Sequence, residues 1–282
     1  MRKAITIIMA LSLVLVAAAA VSCSGQEQQS EKLGVAVTIV PYADFVQQVG
    51  GDRVDVTTMV PVGASPHTYE PTTGQMTALS EAEVYVQVGS GVEFELTWMD
   101  NLIAQNPSML VVDSSAGIGL IGNDPHIWLS PANVEIIVEN ICDGLIAVDP
   151  DNADYYRDNR DRYLDEIDDL DEYVSDKLAG YTVRYFLIYH PAFGYFARDY
   201  DLHQLAIEHG GKEPTPQVMQ QCIDLAQQHN ISYVYTNPAA AQEFAETIAD
   251  SIGGETATLD PLPEDYIENM YDVADALALE LE

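Results

Sequence analysis

Residues Asp151–Leu178 constrain the architecture of this chain more than any other segment. Tyr156, Tyr163, Ile167, Leu170, Val174 and Leu178 recur at intervals of 7, 4, 3, 4 and 4, which puts them on one face of an α-helix. The other face is acidic, with Asp165, Glu166, Asp168, Asp169, Asp171, Glu172 and Asp176, and reads as a solvated surface. Gly180 supplies a stop. At 1.5 Å per residue such a helix runs roughly 42 Å, longer than a small lobe is wide. It is expected to act as a rigid spine.

On both sides of it, short β-branched runs alternate with helical patterns. The strand-like runs are Val35–Val40, Val54–Val60, Val84–Val88 and Met109–Val112, then Val183–Tyr189, Gln204–Ile207, Tyr233–Tyr235 and Glu255–Leu259. Pro131–Val148, Pro216–His229 and Ala239–Ile252 read as helices. Strand–helix alternation argues for parallel sheets covered by helices. The expected fold is α/β: two lobes with mostly parallel sheets flanked by helices, joined by one long spine helix. The expected boundaries are 33–150 for the N-terminal lobe, 151–179 for the linking helix and 180–282 for the C-terminal lobe.

The N-terminus reads as an address. Arg2 and Lys3 precede an apolar run from Ala4 to Val21 broken only by Thr6 and Ser12, so residues 1–22 are expected to be a signal peptide. A membrane anchor is the competing reading, since the run approaches the ~20 residues that span a bilayer. The small residues Ala20-Val21-Ser22 immediately before Cys23 resemble a lipoprotein processing site. Residues 23–32 then read as a lipidated Cys23 and a flexible tether. The protein is expected to be exported and lipid-anchored on the extracytoplasmic face of the cell membrane.

Charge removes one class of partner. The chain carries 45 Asp and Glu against 11 Lys and Arg, a formal net charge of −34. A polyanion of that size repels phosphate backbones, so no nucleic acid is expected as a partner. Attraction for cations and adaptation to high salt each account for the charge, and composition does not choose between them. Cys142 and Cys222 both lie in helical patterns and read as small buried hydrophobes rather than a disulfide.

Three of the six histidines share one setting. His67, His126 and His190 each occupy a loop after a strand-like run, where open α/β sheets bind ligands. Asp260 has the same character. Proline adjoins all four, as Pro66, Pro125, Pro191 and Pro261, and fixes the loop backbone. Three imidazoles and a carboxylate make a four-coordinate set suited to Zn²⁺ and acceptable to Mn²⁺ or Fe²⁺. Two ligands from each lobe place the ion in the cleft between them. Glu208 and Asp124 are candidate acceptors for a ligand histidine's second N–H. Tyr69, Trp128, Phe193 and Phe196 are expected to wall the site. His203, His209 and His229 lack the setting and are expected at the surface.

The segments SPHTYEP (65–71), DPHIWLSP (124–131), HPAFGYFARDYDLHQLAIEHGGKEPTP (190–216) and LDPL (259–262) resemble the metal-binding solute receptors of ATP-driven zinc and manganese importers. The resemblance covers nearly all of the chain beyond the N-terminal signal. It implies a fold of two α/β lobes on one long helix. It also implies that His67, His126, His190 and Asp260 match the family's ligands, and that a membrane permease of an ABC importer is the partner. Zn²⁺ is the implied solute, with Mn²⁺ the alternative, since Ser114–Asp124 lacks the His-rich loop of many zinc members. A non-enzymatic, monomeric receptor is expected. A His₃ metallohydrolase and a metal-stabilised adhesion lipoprotein are the competing functions.

Overall fold

Strands form where the sequence concentrates Val, Ile and Tyr, and they fall into two sheets of four. The computed structural model describes residues 32–180, 183–238 and 242–281. The expected signal peptide and Cys23 lie outside the described residues, as does the tether up to residue 31. The first sheet comprises β1 (Leu33–Val37), β2 (Val54–Thr58), β3 (Val84–Gln87) and β4 (Leu110–Asp113), in the order β2-β1-β3-β4. The second comprises β5 (Tyr185–Ile188), β6 (His203–Ala206), β7 (Tyr233–Thr236) and β8 (Glu255–Thr258), in the order β6-β5-β7-β8. Every pairing is parallel; Val35 lies opposite Val56 and Val84, and Leu187 opposite Leu205 and Val234.

The helices are α1 (Val40–Gly50), α2 (Thr73–Glu81), α3 (Glu93–Gln105), α4 (Pro131–Val148) and α5 (Ala153–Leu178) in the first part of the chain. They continue with α6 (Gly194–Asp199), α7 (Pro216–His229), α8 (Gln242–Ile252) and α9 (Tyr266–Leu281). Caps set their starts. Ser130 and Thr215 accept from the backbone N–H groups of Asn133 and Val218, and Pro131 and Pro216 follow them at the first helical position.

Helix α5 is the spine. It begins two residues later than the periodicity implies, because Pro150–Asn152 form a 3₁₀ turn first. All six apolar positions of its stripe are buried. The acidic face is exposed except at half-buried Asp171, which accepts from the hydroxyl of Tyr200 at 2.6 Å. One continuous apolar core takes in the first sheet, this stripe, α9 and one face of the second sheet. A smaller core covers the other face. The period of two on β5 divides the residues: Phe186 and Ile188 enter the large core, Leu187 and Tyr189 the small one. Cys142 and Cys222 are buried and unpaired with each other.

The stripe gives a test of the spine. Ile167→Ala leaves a cavity in the shared core and is expected to cost about 2–5 kcal/mol of stability. Asp169→Ala, on the solvated face, is expected to stay within about 0.5 kcal/mol of the parent. Urea unfolding followed by circular dichroism measures both.

Candidate metal centre

Parallel strands bring their carboxyl ends to one edge of each sheet, and the chemistry collects there. His67 follows β2 in a turn closed by bonds from the N–H groups of Thr68 and Tyr69 to the carbonyl of Ser65, at 3.2 and 3.1 Å. Gln75 steadies that turn. It forms a capping box with Thr72, donates to the carbonyl of Met59 at 2.7 Å and accepts from the hydroxyl of Tyr69 at 3.0 Å. His126 lies after β4, directly before the 3₁₀ turn Ile127–Leu129 that leads into α4. His190 follows β5, with a carbonyl that accepts from the N–H of Ala192.

The three imidazoles converge. One ring nitrogen from each lies within 4.8 Å of the other two, the one such grouping of three or more potential ligands among the described residues. Nε2 of His126 and Nε2 of His190 are 3.2 Å apart. Two nitrogens bound at ~2.0–2.1 Å to a tetrahedral ion stand about 3.3 Å apart, so this pair is already spaced for zinc.

Each ring meets a carboxylate at Nδ1. Asp124 accepts from Nδ1 of His126 at 2.7 Å and from its backbone N–H at 3.0 Å. Glu208 accepts from Nδ1 of His190 at 3.2 Å, while its second oxygen accepts from the N–H of Gly211 at 2.8 Å. Glu93 pairs with Nδ1 of His67 at 2.9 Å. A carboxylate on Nδ1 fixes the proton there and leaves the Nε2 lone pair for the ion. Burial, helped by the neighbouring His126 and His67, lowers the pKa of His190 against the pull of Glu208, so His190 is neutral and ready to donate. The pairs differ in exposure. The side chains are 9% and 18% exposed for His126 and Asp124 but 37% and 51% for His67 and Glu93. His67 is the most exposed of the three imidazoles.

A cavity of about 290 Å³ opens over the rings, walled by Trp128, Tyr189, Asn237, Pro261 and Leu262. Trp128 packs 5.3 Å from the His126 ring, and its indole N–H donates to the carbonyl of Pro261 at 2.7 Å, tying the loop after β4 to the loop after β8. Asp260 stands in that second loop, but its carboxylate lies outside the grouping of three imidazoles. Its Oδ1 accepts from the N–H of Leu262 at 2.9 Å, and its carbonyl accepts from Asn269 at 3.0 Å.

Other expected positions differ. Phe193 and Phe196 belong to the core rather than to the walls, because the short helix α6 turns them inward. Tyr69 lines an adjoining hollow with Glu93. His229 is not simply at the surface: its ring stacks on Tyr185 at 3.7 Å, and His203 lies 4.6 Å from the same tyrosine. Glu93 and Asn237 escaped sequence reasoning. Both follow strands; Glu93 has no adjoining proline, whereas Asn237 carries the histidines' full signal, a strand before it and Pro238 after it, on a side chain that is not a usual metal ligand.

These features define a metal-binding protein of the two-sheet, spine-helix kind. A family profile described as "Zinc-uptake complex component A periplasmic" matches residues 35–279, and the chain belongs to that family. Among curated relatives, the "High-affinity zinc uptake system protein ZnuA" of Bacillus subtilis strain 168 is 28% identical over 257 residues, 84% of this chain and 80% of its own. The "Manganese-binding lipoprotein MntA" of Halalkalibacterium halodurans is 28% identical over 259 residues, 87% of this chain and 85% of its own. A solved structure described as a crystal structure of ZnuA superposes with a TM-score of 0.86 at 39% identity, covering 89% of this chain and 100% of that one.

Gly194 offers a test of the carboxylate brace. A Cβ added there would meet Oδ2 of Asp124 at 2.3 Å. Gly194→Ala is expected to push that carboxylate aside and free the His126 ring, with little effect on folding because Asp124 is a movable side chain. Zinc affinity should fall about 10- to 100-fold, in line with loss of an outer carboxylate. Isothermal titration beside a thermal melt reads both.

Proposed function

We propose that this protein is the extracytoplasmic solute receptor of an ATP-driven metal importer, capturing Zn²⁺ on His67, His126 and His190 and passing it to a membrane permease. The observation that carries this reading is the convergence of three imidazole nitrogens, each ring braced by a carboxylate. Nitrogen donors favour zinc over manganese, which prefers oxygen. Asp260 supplies the acidic fourth ligand once its carboxylate leaves the Leu262 N–H or offers its second oxygen. The two sheets with their helices act as lobes on either side of the ion, joined through 151–179. The net charge of −34 raises the local concentration of cations at the mouth. Cys23 anchors the chain to the membrane through lipid, with residues 24–32 as tether.

The geometry also speaks against hydrolysis. A His₃ hydrolase needs a nearby carboxylate to act as base, yet Asp124 and Glu208 are both committed to ring nitrogens and backbone N–H groups.

Titration of the purified protein with Zn²⁺ and Mn²⁺ tests the assignment. One Zn²⁺ per chain is expected. His67→Ala, His126→Ala and His190→Ala should each weaken binding by about two orders of magnitude or more, without unfolding the metal-free protein. Asp260→Ala should spare zinc better than manganese, and His203→Ala and His209→Ala should bind like the parent. Loss at His203→Ala equal to that at His190→Ala would overturn the ligand set. Separately, Cys23→Ser is expected to release the protein from membranes in cell fractionation; continued retention would mean an uncleaved anchor.

A further inference from the structure

Asn237 is a polar residue of the cavity that the ligand set leaves unused. It follows β7, the strand between β5, which delivers His190, and β8, which delivers Asp260. Its amide oxygen is buried and has no hydrogen-bond partner among the described residues. The residue as a whole is half-buried and lines the same cavity as the three imidazoles, so a turn of its amide about the last side-chain torsion opens the oxygen to that cavity. A buried acceptor left unpaired is costly, and native proteins rarely leave one so without reason. The other acceptors around the rings are taken: Asp124 by His126, Glu208 by His190 and Gly211, Oδ1 of Asp260 by Leu262. The solute can bring the missing donor.

A divalent ion supplies that donor. It arrives hydrated, and three imidazoles replace only part of its shell, leaving a tetrahedral ion one position for water. Water on a divalent ion is polarised and donates strongly. Resting on the receptor reading above, we propose that Asn237 is a positioning residue whose amide oxygen accepts a hydrogen bond from the last water on the ion, the water that the Asp260 carboxylate then displaces. The amide suits this task because it is neutral. It holds the water without competing for the ion as a carboxylate would, and it leaves the final place to Asp260.

A double-mutant cycle on the full chain tests this, with Zn²⁺ titrated into the parent, Asn237→Leu, Asp260→Ala and the double variant. Leucine keeps the volume and removes the acceptor. Where Asp260 is absent the water stays, so Asn237→Leu should weaken zinc binding about 5- to 10-fold in the Asp260→Ala background, the worth of one hydrogen bond. In the parent background the loss should be smaller. Thermal melts of the metal-free proteins separate positioning from structure, because replacing an unpaired buried amide by leucine should leave the midpoint unchanged or raise it. With Co²⁺ as the probe, Asn237→Leu should also alter the visible absorption of the Asp260→Ala protein. No loss from Asn237→Leu in either background, or equal losses in both, would overturn the assignment to Asn237. A parent chain that binds no zinc would overturn the receptor reading and this inference together, whereas zinc-binding parents with a silent Asn237→Leu overturn this inference alone.

Discussion

The site depends on strand direction. Because each sheet is wholly parallel, every strand within it ends at the same edge, and a group from the following loop is delivered there. β2 delivers His67, β3 Glu93 and β4 the pair Asp124 and His126; β5, β6, β7 and β8 deliver His190, Glu208, Asn237 and Asp260. An antiparallel pairing anywhere in either sheet would send one of these groups to the far edge. The helices that return the chain between strands are therefore as necessary to the site as the loops themselves.

Convergence alone would not make a receptor. Three imidazoles crowded together turn ring nitrogens toward one another, and Nε2 of His126 and Nε2 of His190 stand 3.2 Å apart. The carboxylates on the opposite nitrogens hold this arrangement in place, since each fixes the ring's proton and orientation. Backbone N–H groups hold those carboxylates in turn: Asp124 by its own turn, Glu208 by the Gly211 N–H. Close to Glu93, the buried Glu95 accepts from Thr38 and from the N–H groups of Val88 and Gly89, so the start of α3 is fixed to the ends of β1 and β3. Burial raises the pKa of Glu95, and those three donors offset part of that cost.

The sequence announced its regular parts clearly. Each of the strand-like runs contains or overlaps a strand, and the six apolar positions of the spine are all buried, because periodicity reports directly which face meets the core. The three histidines could be singled out because proline and a preceding strand mark them. What could not be read depends on neighbours distant in the chain. Glu93 matters only because sheet order sets β3 beside β1 and thus near the loop after β2. Phe193 and Phe196 look like walls until α6 rotates them inward, and His229 looks solvated until Tyr185 appears beneath it. The direction of the Asp260 carboxylate is set by a bond two residues along, which no spacing rule reports.

The continuous apolar core has a mechanical consequence. Residues of the first sheet, the spine, α9 and one face of the second sheet share close-packed neighbours. Such interiors do not deform smoothly, so a wide hinge opening between the two sheets would break the very packing that stabilises both. Loading and unloading are thereby confined to the rim, where His67 and Glu93 are the most exposed of the histidine–carboxylate pairs. A transport partner would have to sense occupancy through the conformation of a few loops, with the body of the molecule serving as a fixed gauge against which a small displacement becomes legible.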